Sequence, residues 1–228
     1  AEQLQRNEYM RKDFISSVSH EIKTPLSIIN GYADLLKEDL SPMERKEYVG
    51  IISRESRRLL RLSQNMLQIS KLDSTCINEQ TVFRLDEQLR QVILLLEPRW
   101  SAKHLELDVD MDECTCMGNE ELLMQVWVNL LDNAIKFTES YGCVSVCLRE
   151  RGLLKVTVSD NGPGMDQETQ DRIYEQFYQG DRSHVKEGAG LGMAIVRRIV
   201  DMHQGSISIR SALGEGTSIT VCLPLAKK

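Results

Sequence analysis

Phe14-Ile15-Ser16-Ser17-Val18-Ser19-His20-Glu21-Ile22-Lys23-Thr24-Pro25-Leu26 lies inside a helical pattern that runs over residues 2–38. Ile15, Val18, Ile22, Pro25, Ile29, Tyr32 and Leu36 recur at alternating spacings of three and four, the heptad seam of helices packing in a bundle. With Ile15 at heptad position a and Val18 at d, His20 falls at f, furthest from the seam, and Glu21 at g. The histidine is therefore expected to face water.

Beyond this helix, Glu38-Asp39-Leu40-Ser41-Pro42 breaks the pattern. Ser41 suits an N-cap, with Pro42 at the first helical position and Glu44 three residues on, a capping box. A second helix is predicted to about Leu72, with a seam through Ile52, Leu59, Leu62, Met66 and Ile69. A short loop between two long helices predicts an antiparallel hairpin. One hairpin cannot bury its seam alone, whereas two can by pairing. We therefore expect a homodimer through residues 2–73, in which two hairpins form a four-helix bundle. Arg54, Arg57, Arg58 and Arg61 line one side of the second helix, as a solvated face with local ion pairs or a docking surface for an acidic partner.

Residues 74–80 are polar and read as a linker. The patterns then mix: a strand at Thr81–Arg84, a helix over Leu85–Lys103 that Pro98 kinks or ends, a strand at Leu105–Met111, and a strongly amphipathic helix over Asn119–Phe137. Gly142–Arg149 and Leu153–Asp160 read as strands paired around Arg151-Gly152. Gly190–His203 is helical, and Ser206–Ser211 and Thr217–Leu223 flank a turn at Gly214-Glu215-Gly216. Segregated helices and strands predict an α+β two-layer sandwich. The expected division is 1–75 for the helical part and 76–228 for the sandwich.

Composition agrees with a soluble two-part chain. Of 228 residues, 41% are hydrophobic and 27% charged, while aromatics at 5% demand a mostly aliphatic core. Residues 1–75 hold 12 basic and 11 acidic residues and the remainder 16 and 23, so the net charge of −6 resides in the second part. That balance argues against bulk electrostatic binding of nucleic acid or anionic membrane. Any polyphosphate ligand must be held by placed groups. No apolar run approaches the about 18 residues of a membrane span. The chain opens without Met inside a helical pattern, so we read it as a fragment of something longer. None of the six cysteines forms C-x-x-C, and reduced, mostly buried thiols are expected.

The chemistry-bearing residues cluster. Glu21 adjoins His20, and a carboxylate beside an imidazole can take the proton from one ring nitrogen while the other attacks. Thr24, one turn on, can orient a water or a phosphoryl oxygen. Pro25 cannot donate to the Glu21 carbonyl, which predicts a bend just beyond the histidine. Further along, Asn129 and Asn133 share a helix face with Lys136 nearby. An amide oxygen suits Mg²⁺, and a lysine supplies a point charge for phosphate. Asp160-Asn161-Gly162-Pro163-Gly164 follows a strand. The carboxylate can accept from the N6 amine of adenine, where guanine would present a repelled oxygen, which favours ATP over GTP. Gly188-Ala189-Gly190-Leu191-Gly192 opens a helix whose N–H groups suit phosphate. Between these loops, a polar segment over about 166–189 with Phe177 as apolar anchor reads as a lid over the nucleotide.

His20, Glu21, Thr24, Pro25 and Leu26 reproduce the pattern H-E-x-x-T-P-L, so the first part resembles the dimerisation and phosphotransfer domain of histidine kinases. The later motifs, in order, resemble the N, G1, F and G2 boxes of that family's ATP-binding domain, a Bergerat fold, with Gly214-Glu215-Gly216-Thr217 as a G3 turn. The resemblance implies an ATP-dependent kinase that phosphorylates its own His20 with Glu21 as base. It then implies transfer to an aspartate of a response-regulator receiver domain, and a reverse phosphatase role through Thr24. By the same resemblance, Asn133 holds Mg²⁺. Asn129 and Lys136, with Phe137 beside them, stand near the phosphates, and Asp160 reads adenine within the Gly162 and Gly164 turn. Phe177, Gly188, Gly190, Leu191 and Gly192 belong to the lid and phosphate loop, and Thr217 assists through water. Gln179 departs from the family, many of whose members carry Arg or Lys there, and Arg182 or Lys186 is expected to substitute. Related ATPase modules such as gyrase share parts of the nucleotide pattern but need no exposed histidine beside a glutamate.

Overall fold

The computed structural model describes residues 2–74, 80–180 and 190–225, with side chains over 16–72, 80–180 and 190–225. These residues fall into two compact units that meet at Ser70 and Lys71.

The first unit is the helical hairpin. Helix α1 spans Glu2–Leu35 and α2 spans Pro42–Ser74. The reversal ends in the capping box foreseen from sequence: the Ser41 N–H donates to the Glu44 carboxylate (2.9 Å), and the Glu44 N–H donates back to Ser41 Oγ (3.3 Å). Two contacts set the antiparallel register. Tyr32 and Tyr48 meet edge to face, 5.0 Å between ring centroids, and Arg58 of α2 reaches Glu21 of α1. Pro25 and Leu62 are buried, and Val18, Ile29, Ile52, Leu59, Met66 and Ile69 are half-buried along the seam. Ile22, a predicted seam residue, is exposed, as are Leu26, Val49, Leu60 and Leu67.

The second unit has two sheets. Strand β1 (Thr81–Arg84) pairs antiparallel with β3 (Thr115–Gly118). The larger sheet comprises β2 (Glu106–Met111), β4 (Cys143–Glu150), β5 (Leu154–Asp160), β6 (Ser206–Ala212) and β7 (Gly216–Leu223), ordered β2-β4-β5-β7-β6. The β2–β4 pair is parallel, and the other pairs are antiparallel. Period-two alternation decides its faces. Val144, Val146, Leu148, Leu154, Val156, Val158, Val221 and Leu223 point into the core, while Thr157–Thr220 and Ser159–Ser218 hydrogen-bond across strands on the other face. Helices α3 (Leu85–Leu95), α5 (Glu120–Phe137) and α7 (Gly192–Met202) supply Leu89, Leu123, Trp127, Leu131, Ile195 and Ile199 to that core. Burying one such side chain contributes about 1.5–3 kcal/mol. The core's polar groups are paired: Trp127 Nε1 donates to Gln88 Oε1 (2.8 Å), and Gln88 Nε2 donates to the Glu120 carbonyl (2.8 Å). Asp86, fully buried, takes hydrogen bonds from Arg84, which hold its carboxyl down to about 2 against the cost of burial.

The expected α+β sandwich is present, with three local departures. The helix predicted over Leu85–Lys103 is split at Leu96, and a short α4 (Glu97–Ala102) restarts with Pro98 in its first turn, where its missing N–H costs nothing. Strand β3 and the six-residue α6 (Gln167–Arg172) were not anticipated. Of the five described cysteines, Cys114 and Cys116 are buried, but Cys143, Cys147 and Cys222 are half-exposed on the sheet's outer face, so the thiols are not mostly buried.

Candidate active site

His20 is exposed on α1, as its heptad position requires. Glu21 is turned toward α2, where Arg58 Nη2 donates to its carboxylate at 3.2 Å. Arg58 itself lies within 4.0 Å of Glu55. The basic stripe read from sequence therefore divides: Arg54, Arg57 and Arg61 face outward, whereas Arg58 is half-buried and pairs across the hairpin. Thr24 is exposed on the histidine's face, and its hydroxyl donates to the His20 carbonyl (3.2 Å), so its lone pairs still point outward. Pro25, which lacks an N–H for the Glu21 carbonyl, lies within the unbroken assigned length of α1.

In the second unit, α5 presents Asn129, Asn133, Lys136 and Phe137 as half-buried side chains near its C-terminal end. The helix is set at both termini. Asn119 caps its start by accepting from the Leu122 N–H (2.9 Å). The Asn119 N–H donates to His203 Nε2 (3.0 Å), whose Nδ1 lies 2.8 Å from the Ile199 carbonyl. That pairing assigns the proton to Nδ1, and burial pushes the His203 pKa down. Asn129 faces the first turn of α7: a Cβ on Gly192 would lie 3.0 Å from its amide oxygen. Asn129 thus lies beside the N–H groups that open α7, a polarity suited to phosphate, and this is the candidate cleft. Lys136 stands 4.5 Å over the Phe137 ring.

Asp160 ends β5 beside this cleft. Its carboxylate accepts from the Gly162 N–H (2.9 Å) and from the backbone of Thr217, while burial, the larger effect, pushes its pKa up. Glycine is required around it. A Cβ on Gly164, where φ is +68°, would fall 1.8 Å from the Ala212 carbonyl oxygen, and one on Gly216 2.0 Å from that of Asp160. Gly162 backs onto the Phe137 carbonyl, so the Asp160 loop is built directly against the end of α5. Thr217 is bound to Ser211 through its hydroxyl (2.9 Å).

Phe177 and Gly190 stand on either side of residues 181–189, which lie outside the described residues. The Phe177 N–H donates to the Gly190 carbonyl (2.9 Å), both residues hold positive φ, and Leu191 is buried behind them. Arg182, Lys186 and Gly188 lie outside the described residues.

Among the described residues no cluster of three or more His, Cys, Asp or Glu is placed to hold a metal. Mg²⁺ retains water and takes one or two protein ligands plus substrate phosphates, and half-buried Asn133 offers one hard oxygen in the cleft. Sequence reading missed Arg58, which holds Glu21 in the first unit, and in the second unit Lys103, which binds the end of α5, and Ser211, which joins Met165, Gly216 and Thr217. Each acts on a residue far away in sequence, and no local pattern marks it.

Two family patterns match the chain. Residues 10–75 match the His Kinase A (phospho-acceptor) domain, and residues 118–227 match the histidine kinase-, DNA gyrase B-, and HSP90-like ATPase. Drug sensory protein A of Synechocystis is 38% identical over 91% of this chain and 34% of its own length. Sensor histidine kinase YclK of Bacillus subtilis is 33% identical over 100% of this chain and 49% of its own. The chain therefore spans about a third to a half of these relatives. Among solved structures, full-length ShkA in complex with AMPPNP aligns over 95% of this chain and 46% of its own, at 29% identity and a TM-score of 0.71. Histidine kinase ThkA, solved with the response regulator protein TrrA, aligns over 97% of this chain and 64% of its own, with a TM-score of 0.81 at 24% identity, which speaks to fold. No helix among the described residues is long and apolar enough to cross a membrane.

Proposed function

The chain belongs to the sensor histidine kinases, as their joined phospho-acceptor and ATP-binding core, and on that premise we propose that it transfers the γ-phosphoryl group of ATP to His20. The observation that carries the reading is a water-facing imidazole beside a carboxylate, in one chain with an amide set against the start of α7 and a half-buried aspartate at the end of β5. One ring nitrogen of His20 attacks the γ-phosphorus, the bond to the β,γ-bridging oxygen breaks, ADP departs, and Glu21 accepts the proton from the other ring nitrogen. The Arg58 contact holds the Glu21 carboxylate at the hairpin's inner side, so proton transfer requires the carboxylate to turn toward the ring.

In the cleft, Asp160 accepts from the adenine amine, and Asn129, Lys136 and the start of α7 receive the phosphates. Asn133 supplies an oxygen to Mg²⁺, which neutralises phosphate charge when bound. Gly162, Gly164, Gly188, Gly190, Leu191 and Gly192 shape the loops. Phe177 anchors the lid over about 166–189, Arg182 offers the cation that Gln179 does not, and Thr217 assists beside Asp160. We assign residues 1–75 to phosphotransfer and dimerisation and 76–228 to nucleotide binding.

The exposed apolar residues of the hairpin support a homodimer through residues 2–73. The phosphoryl group passes onward to an aspartate of a response regulator, as the ThkA–TrrA complex suggests, and Thr24 serves the reverse, phosphatase reaction. The relatives are sensors, which supports placing the chain as the cytoplasmic portion of a membrane sensor. Incubation with γ-labelled ATP should give an acid-labile, alkali-stable phosphoprotein. Steady phosphate release with no labelled protein would instead make the chain an ATPase.

A further inference from the structure

The α-helix that carries the nucleotide-facing amides ends without a C-cap of its own kind. Thr138, which follows Phe137, is extended, with no glycine in the left-handed region to gather the last carbonyls. A lysine from outside the helix gathers them. Lys103, at the C-cap of α4, donates from one ammonium to the carbonyls of Ile135 (2.8 Å), Lys136 (2.9 Å) and Thr138 (2.7 Å). These three bonds place a full positive charge at the negative end of α5. Ala134 accepts the N–H and the hydroxyl of Thr138, and the Phe137 carbonyl abuts Gly162.

The backbone of the same lysine fixes the turn that follows. The Tyr141 N–H donates to the Lys103 carbonyl (2.9 Å), the neighbouring rings of His104 and Tyr141 stack at 5.1 Å, and both of those residues hold positive φ. Asn161 then joins this turn to the aspartate loop: its side chain accepts from the Cys143 N–H (2.8 Å), and its own N–H donates to the Cys143 carbonyl (3.2 Å). Arg99, one turn earlier on α4, pairs with Asp132, the neighbour of Asn133. The short α4 thus grips the last two turns of α5.

We propose that Lys103 is a positioning residue for nucleotide binding: its ammonium locks the last turn of α5 and the turn after it, and through them sets Lys136, Phe137 and the Asp160–Gly162 loop. It touches no substrate. The inference rests on reading the α5 cleft and Asp160 as the ATP site.

The test measures Mg-ATP and ADP affinity, labelling rate at saturating ATP, and thermal unfolding on the full chain. Lys103→Met keeps the stem and removes the charge. It is expected to weaken nucleotide binding about tenfold, as loss of a group that orients a ligand-bearing one does, while the saturated labelling rate stays within about twofold. Asp86→Asn, which disturbs the ion pair with Arg84 elsewhere in the domain, is the stability control and should keep wild-type affinity. A folded Lys103→Met variant with wild-type affinity overturns the proposal, as does an Asp86→Asn variant of equal thermal loss that weakens binding equally. Should Lys103→Met not fold, Lys103→Arg carries the same test. A planar guanidinium cannot seat three carbonyls around one nitrogen, so affinity should still fall, and unchanged affinity overturns the idea. Asn133→Ala, which removes the amide oxygen outright, separates the two claims. Retained binding there defeats the reading of the cleft itself, whereas lost binding there with intact Lys103→Met binding defeats only the role of Lys103.

Discussion

The hairpin and the sandwich satisfy the same physical demand by different routes. In the sandwich, Leu85, Leu89, Val126 and Trp127 are completely buried by chain that is near them only in the fold. In the hairpin, most seam residues are merely half-buried, and Leu60 and Leu67 remain about three-fifths exposed. A two-helix unit has only one neighbour to bury against, which leaves an outer apolar stripe for the proposed second copy to cover. The sandwich is built to hold a site still. The hairpin is built to present a residue to water and to associate.

The largest effect that sharpens this contrast is in the sandwich core. Trp127→Ala should cost about 3–5 kcal/mol in urea unfolding, since it empties the core and strands the Gln88 amide. A loss under about 1 kcal/mol would mean the core is looser than its burial indicates. Next, Leu67→Glu on the hairpin should leave the sandwich's unfolding unchanged but shift the chain toward monomer by sedimentation. Two such leucines per dimer are worth about 1.5–3 kcal/mol each when buried. A dimer of unchanged stability would place the association surface elsewhere.

Smaller effects concern protons. Burial lowers the His203 pKa, so as pH falls the unfolded chain takes up that proton first. Stability is full above the ordinary histidine value of about 6.5 and declines as pH falls through the folded one. His203→Gln should flatten that slope in thermal unfolding measured across pH. Asp160 shifts the other way. Burial raises its pKa, so it loses its charge at higher pH than an ordinary aspartate, and ATP affinity should begin to fall correspondingly early on acidification. Asp160→Asn should remove that dependence along with most of the affinity. Smallest of all, Arg58→Ala should cost the hairpin under about 1 kcal/mol, because a cross-hairpin pair about a third exposed is screened by water.

The same contrast governs what the sequence made legible. The hairpin is local. Heptad spacing predicts both helices, the Ser41–Glu44 box predicts the turn, and position f predicts an exposed His20. In the sandwich, long amphipathic segments such as α5 and the alternating strands β4 and β5 are equally plain. Strand β3 is not: Thr115–Gly118 offers four residues, too few for alternation to stand out, and it exists because β1 lies beside it in space. Helix α6 is six polar residues capped by Asp166 within a segment that reads as loop. At the proposed site, Asn129, Asn133, Asp160 and the glycines stand out in the sequence by residue type and spacing. Lys103 and Arg58 do not, because a lysine or arginine at a surface helix is ordinary until its distant partner is known.

The claim on which the account turns is that one imidazole accepts the phosphoryl group. The direct measurement compares wild-type chain with His20→Gln, each incubated with γ-labelled ATP and magnesium, with nucleotide binding read in the same samples. The account predicts that label disappears from the variant while binding persists unchanged. Label retained on the His20→Gln chain would contradict it.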